Sequence, residues 1–181
     1  MGIKLENFYE ILSPRCTVLI STVDKDGTPN AAPFSFVTPI SIKPPLVLFA
    51  SAEDRHTLAN VRETKQFILN IVPEEFLNNL WICSKSFKQG VNEIKEAGLT
   101  EKKAARVKPP RIEECACWIE CTFVIEYEAG DHIMVIGKVV CAEGKDDFMK
   151  DGQFDILKAK PVMHITSKRF AVAERIIKAH G

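Results

Sequence analysis

Ser51, Arg55 and Thr57 fall together where the sequence turns from strand-like to helix-like, in LFASAEDRHTLANV. A guanidinium, two hydroxyls and the unpaired amides of a helix N-terminus together suit a phosphate. A capped helix beside one exposed arginine presents the same residues. Upstream, Asn30, Ala31, Ala32, Pro33, Phe34, Ser35 and Phe36 form a segment with several small side chains. Its backbone could lie against a planar ring and offer amides to the ring's polar edge. A strand of small residues packed under a helix would read identically. A planar ring with a phosphate tail describes a flavin mononucleotide, whose reduction potential a protein tunes through such contacts.

His132 follows Gly130-Asp131 at the mouth of another strand. Its imidazole could hydrogen-bond a nicotinamide or a substrate carbonyl, or simply be a turn residue. The six cysteines contain no CxxC pair of the kind that holds a metal, so no metal site is assigned. Cys115, Cys117 and Cys121 share parity in a strand-like segment and are expected on one sheet face.

These residues need elements to position them. Residues 16–23 are β-branched and end at Asp26-Gly27, a strong hairpin signal. The returning strand is expected over 30–38, and Pro44-Pro45 precedes a third over 46–50. Asp54 or Thr57 would cap a short helix with Leu58 and Val61 inward. A fourth strand follows at 66–72. Pro73 then opens a helix bearing Phe76, Leu77, Leu80 and Trp81 on its apolar side. Residues 85–111 are polar and irregular, with a short helix at 92–97; a loop of this length is usually functional or partly helical. Residues 118–127 and 132–141 form a hairpin, and 162–165 a last strand. A short opening helix (7–12) and a terminal helix capped by Ser167, carrying Phe170, Ala173, Ile176 and Ile177, complete the reading.

Six or seven strands joined mainly by hairpins point to an antiparallel barrel in one domain, 1–181. The absence of a GxGxxG after the first strand argues against a Rossmann-type domain. Lysine plus arginine balances aspartate plus glutamate at 24 each, so no global field favours nucleic acid or an anionic membrane. No apolar run is long enough to span a bilayer, and the first residues lack the apolar core of a signal peptide. A cytoplasmic protein is expected, with no nucleic-acid or membrane partner.

In order along the chain, SPR, DKDGTPNAAPFSF, KPPLVLFAS, RHTLANVRETKQFILNIV and AGDHIMVIGKV resemble the flavin reductase-like, FMN-binding split-barrel family, flavoredoxins included. The similarity covers about residues 12–143. It implies a mainly β fold, a six-stranded antiparallel Greek-key split barrel with peripheral helices, and a homodimer with flavin near the interface. It also implies noncovalent FMN, less often FAD. By position, the ring would lie on residues 30–36 and the phosphate on Ser51, Arg55 and Thr57, with Asn60 supporting the helix turn. Ser84 would add a contact to the flavin tail, and His132 would meet the nicotinamide of NAD(P)H. The 85–111 segment fits the flavoredoxin-like branch. Three functions follow: an NAD(P)H-dependent flavin or ferric reductase, an electron carrier reduced by a redox partner protein, or a flavin-free interaction barrel.

Overall fold

A computed structural model describes residues 2–179. Its main sheet has seven antiparallel strands: β1 (Val18–Val23), β2 (Pro29–Phe34), β3 (Val37–Ser41), β4 (Leu46–Ser51), β5 (Gln66–Ile71), β6 (Cys117–Ala129) and β7 (His132–Gly144). They lie in the order β2-β1-β5-β6-β7-β4-β3. Laid flat, six spacings of about 4.8 Å would hold β2 and β3 about 29 Å apart. Only Ser35 and Phe36 join those two strands, a link that reaches about 10 Å at most. The sheet must roll until its edges meet. Beside that link, the Ala50 amide donates to the Phe36 carbonyl at 2.9 Å and carries the β3–β4 ladder one residue past Val37↔Phe49.

The expected antiparallel split barrel is therefore present, with seven strands in the sheet where six were expected. The extra strand arises because the segment read as one strand over 30–38 breaks at Ser35-Phe36 into β2 and β3. The hairpin at Glu128–Asp131 is longer than the sequence suggests, since β6 and β7 pair from His132↔Ala129 to Gly144↔Cys117.

Two hydrophobic clusters share the strands by parity. Val18, Ile20, Val47, Phe49, Phe67, Leu69, Cys121 and Val135 fill one, together with Leu58 and Val61 of α1 (His56–Thr64). Leu19, Ala31, Ile68 and Trp118 face the other. There they meet Leu80 and Cys83 of α2 (Leu77–Cys83) and Ile94 of α3 (Glu93–Glu96). This double coverage explains why every residue of β1 is buried. Cys115 belongs to the second cluster and Cys121 to the first. The expectation of one shared cysteine face fails for Cys115, which precedes the strand that begins at Cys117.

The irregular segment is strapped over the second cluster by polar contacts. Glu120, fully buried, accepts from the Ala105 amide at 2.8 Å, the Arg106 amide at 2.6 Å and Arg111 Nε at 2.7 Å. Asn70 Oδ1 accepts from the Ile112 amide at 2.9 Å, and Ser21 donates to the Pro110 carbonyl at 2.6 Å. A buried carboxylate with three donors is a satisfied one.

Two terminal expectations change. The opening helix is a 3-10 helix at Leu5–Glu10. The expected terminal helix is absent: Ser167 adopts a left-handed turn, φ 50°, between β8 (Met163–Thr166) and β9 (Arg169–Ala171), which pair antiparallel. Phe170 packs edge-on against Trp81, ring centres 6.4 Å apart. Ile176 and Ile177 stay exposed, and a short helix with no surface to bury its apolar face is not stable.

Gly137 of β7 marks the tightest packing. A Cβ there would collide with the Phe67 ring and lie 3.2 Å from the Cys121 Cβ. Gly137→Ala should therefore cost about 1–3 kcal/mol through overpacking, seen as a lower midpoint in urea denaturation with an unchanged slope.

Candidate functional site

The seam of the barrel is also where a cavity of about 490 Å³ opens. Its strand wall is Asn30, Ala32, Pro33, Phe34, Ser35 and Phe36, with Ala50 and Ala52 from the end of β4. Asp54, Arg55, His56 and Thr57 bring in the start of α1. The lining is completed by Cys83 at the end of α2, Ser84, Lys85, Ser86 and Phe87 beyond it, Glu93 of α3 and His132 of β7. The structure thus brings together most of the residues singled out from sequence. Ala31, Ser51 and Asn60 stand behind the wall. Ala31 is fully buried in the second cluster. Ser51 is buried and donates to the Ala52 carbonyl at 3.0 Å. Asn60 donates to Thr22 at 3.0 Å, tying α1 to β1.

At the head of α1, Arg55 occupies the N-cap with extended backbone and no side chain caps the helix. Neither Asp54 nor Thr57 plays the expected capping role. Thr57 lies inside the first turn and donates to Asn30 Oδ1 at 3.0 Å. The uncapped first-turn amides keep a partial positive charge. Arg55 adds a half-exposed guanidinium whose contact with Asp54 is a loose 3.8 Å. Lys85 lines the same cavity. This corner can receive an anion.

Asn30 is the hub behind it. Its Oδ1 takes the hydroxyls of Thr22, at 3.2 Å, and Thr57, and its Nδ2 donates to Glu93 Oε2. The Ala31 amide donates to the same Glu93 oxygen at 2.9 Å. With its side chain fully engaged, Asn30 holds β1, β2, α1 and α3 in register and offers the cavity mainly backbone. Phe34 likewise turns its ring to the core, edge-on to Phe49 at 5.2 Å.

Glu93 was missed from sequence. It lies in the polar irregular segment, and nothing local distinguishes it from its solvent-facing neighbours. It is nonetheless buried. Burial pushes its carboxyl up to about 7, against the opposing bonds from Ala31 and Asn30. The adjacent Cys83 thiol is pushed up to about 12 by burial and then by Glu93's charge, so it is neutral and unreactive at physiological pH.

His132 sits at the rim. Its Nδ1 lies 2.7 Å from Asp131 Oδ1, and that bond holds the Asp131 carboxyl below its usual range. A carboxylate partner calls for hydrogen on Nδ1, which leaves Nε2 for another contact. The imidazole is 5.4 Å from the ring of Phe36.

The sequence model of the flavin reductase like domain matches residues 12–172, and the chain belongs to that family. The match reaches beyond the motifs of residues 12–143 to include β8 and β9. An uncharacterised protein of Methanothermobacter thermautotrophicus is 38% identical over 172 residues, covering 91% of this chain and 81% of its own. Among solved structures, nitrilotriacetate monooxygenase component B from Bacillus cereus superposes with TM-score 0.88 at 20% identity, covering 98% of this chain and 95% of its own. Flavoredoxin of Desulfovibrio vulgaris gives 0.86 at 22%, covering 99% and 97%. At these identities the two structures speak for the fold alone.

The raised Glu93 pKa has a consequence for folding. Its folded value of about 7 exceeds the ordinary 4.5, so its stabilising contribution is full below pH 4.5 and is lost as pH rises through 7. Glu93→Gln should flatten that segment of the stability-versus-pH curve and be the more stable protein at pH 8, as measured by urea denaturation of the ligand-free chain.

Proposed function

We propose that the chain is an FMN-binding oxidoreductase whose flavin is reduced by NAD(P)H. One observation carries this reading: a single cavity joins a wall of small residues to an uncapped helix start with Arg55 and Thr57. Its size is that of a small-molecule site. The donor set fits the group. Arg55 and the first-turn amides of α1, that of Thr57 among them, would hold the phosphate, with Ser84 and Lys85 lining the same cavity. The backbone of residues 32–36 would take the ring, where side chains leave room. When bound, the flavin would supply hydride acceptance and onward electron delivery. The protein's part is positional: β2 presents backbone donors, the barrel core screens one side from water, and His132 offers Nε2 to a carboxamide at the rim. FMN is favoured over FAD because the basic corner provides for one terminal phosphate.

A second reading, an electron carrier reduced by a protein donor, draws support from the shared fold with flavoredoxin and from the long 85–111 segment that completes the cavity. Either reading includes a homodimer. Phe36 at the cavity and Ile40 and Ile42 along and beyond β3 leave apolar surface exposed, and a second copy would cover it.

Purified protein incubated with FMN should acquire a bound-flavin absorption spectrum; a chain that stays colourless is an interaction barrel. Arg55→Ala should weaken FMN by about 1.5–3 kcal/mol, the worth of a hydrogen bond to a charged group. Riboflavin binding should hardly move, and equal losses for both ligands in a fluorescence titration would remove Arg55 from the phosphate site. His132→Ala should slow anaerobic flavin bleaching by subsaturating NAD(P)H about threefold to tenfold, the loss of one hydrogen bond. A wild type that does not bleach with either nicotinamide is the carrier.

A further inference from the structure

We propose that Glu93 couples proton uptake to ligand binding, so that a phosphate-bearing ligand enters the cavity together with a proton on the Glu93 carboxyl. The inference rests on the flavin reading above and adds to it a residue that the sequence did not single out.

The geometry carries the argument. Glu93 lies on the cavity wall, and two hydrogen bonds separate it from the anion corner: Glu93 Oε2 to Asn30 Nδ2, and Asn30 Oδ1 to Thr57 Oγ1. An anion held by Arg55 and the Thr57 backbone amide therefore approaches a carboxylate along a short, buried hydrogen-bonded path. Ligand entry also strips water from the open side of Glu93. A nearby like charge and lost solvation both favour the neutral acid. The bonding pattern permits it without loss, because the donors from Ala31 and Asn30 both end on Oε2. A proton can reside on Oε1 while both bonds survive, and the new O–H becomes a donor toward the ligand.

Of the elements packed against Glu93, strand β2 contributes Asn30 and Ala31, and α2 contributes Cys83, already neutral. Asp54, Arg55, His56, Lys85 and His132 line the same cavity, and comparison with Glu93→Gln separates any share of theirs from that of Glu93. On α3 itself, Lys95 makes a 3.8 Å contact with Glu101. Burial pushes the Glu93 carboxyl up to about 7, so at pH 8 it has a proton to gain.

Isothermal titration of FMN at pH 8, repeated in buffers of different ionisation enthalpy, counts the protons taken up. Wild type should gain a fraction of a proton approaching one per FMN, and Glu93→Gln markedly less. FMN affinity of wild type should fall more steeply than that of the variant between pH 6.5 and 8.5. Riboflavin should show a smaller difference between the two proteins than FMN does. Proton release, or no uptake, by wild type overturns the proposal whatever the variant does. Equal uptake by both proteins overturns Glu93's part, and equal differences for riboflavin and FMN overturn the link to phosphate. FMN that fails to bind wild type at all sinks the flavin reading and this inference together, an outcome distinct from binding without proton uptake.

Discussion

The two-residue connection between β2 and β3 governs this structure. Strands at opposite edges of a seven-stranded sheet are adjacent in sequence with only Ser35 and Phe36 between them. No flat or gently twisted sheet satisfies that link, so the sheet curls until its edges face each other. Closure is incomplete, and the opening at the seam is the cavity. The candidate site is thus a direct product of the barrel's connectivity. Its wall is the very segment that turns the corner, and that segment is built of small residues with Pro33 among them.

A second layer of interactions keeps the seam from collapsing or spreading. Asn30 bonds to Thr22, Thr57 and Glu93 at once, which locks the helix start, two strands and the strap helix α3 together. Networks of this kind are stable when every member is satisfied, and costly when one is removed. On the far side, Glu120 performs a comparable task for residues 105–111 through three donors. The long polar segment is therefore an ordered wall, held by two buried carboxylates that differ in character. Glu120 faces an arginine and two amides. Glu93 faces an amide, an asparagine side chain and the open cavity.

The electrostatics of the cavity are accordingly divided. One end collects positive character from Arg55, Lys85 and the uncapped turn of α1, while Glu93 lines the same cavity with a carboxyl that burial pushes up to about 7. An acid placed so close to an anion corner would oppose binding if permanently charged, and its raised pKa eases that conflict.

Local chemistry in the sequence determined a good deal. The Asp26-Gly27 and Gly130-Asp131 turns, the β-branched runs, Pro73 and the small-residue stretch each act over a few residues, so strands, hairpins and the head of α1 were legible without a fold. Ordered motifs carried the family, and Arg55, Thr57, Ser84 and His132, singled out by type and spacing, line one cavity. What tertiary structure alone decided depended on distant partners. The break at Ser35-Phe36 is a demand of barrel closure, not of those residues' own preferences. Ser51 and Asn60 turned behind the wall because β4 and α1 face the core at those positions. The apolar pattern of Ile176 and Ile177 favoured a helix, but it found nothing to pack against. Glu93 is the sharpest case: in sequence it is one charge among many in a polar loop, and only the packing of α3 against β2, more than sixty residues away, buries it and gives it a role.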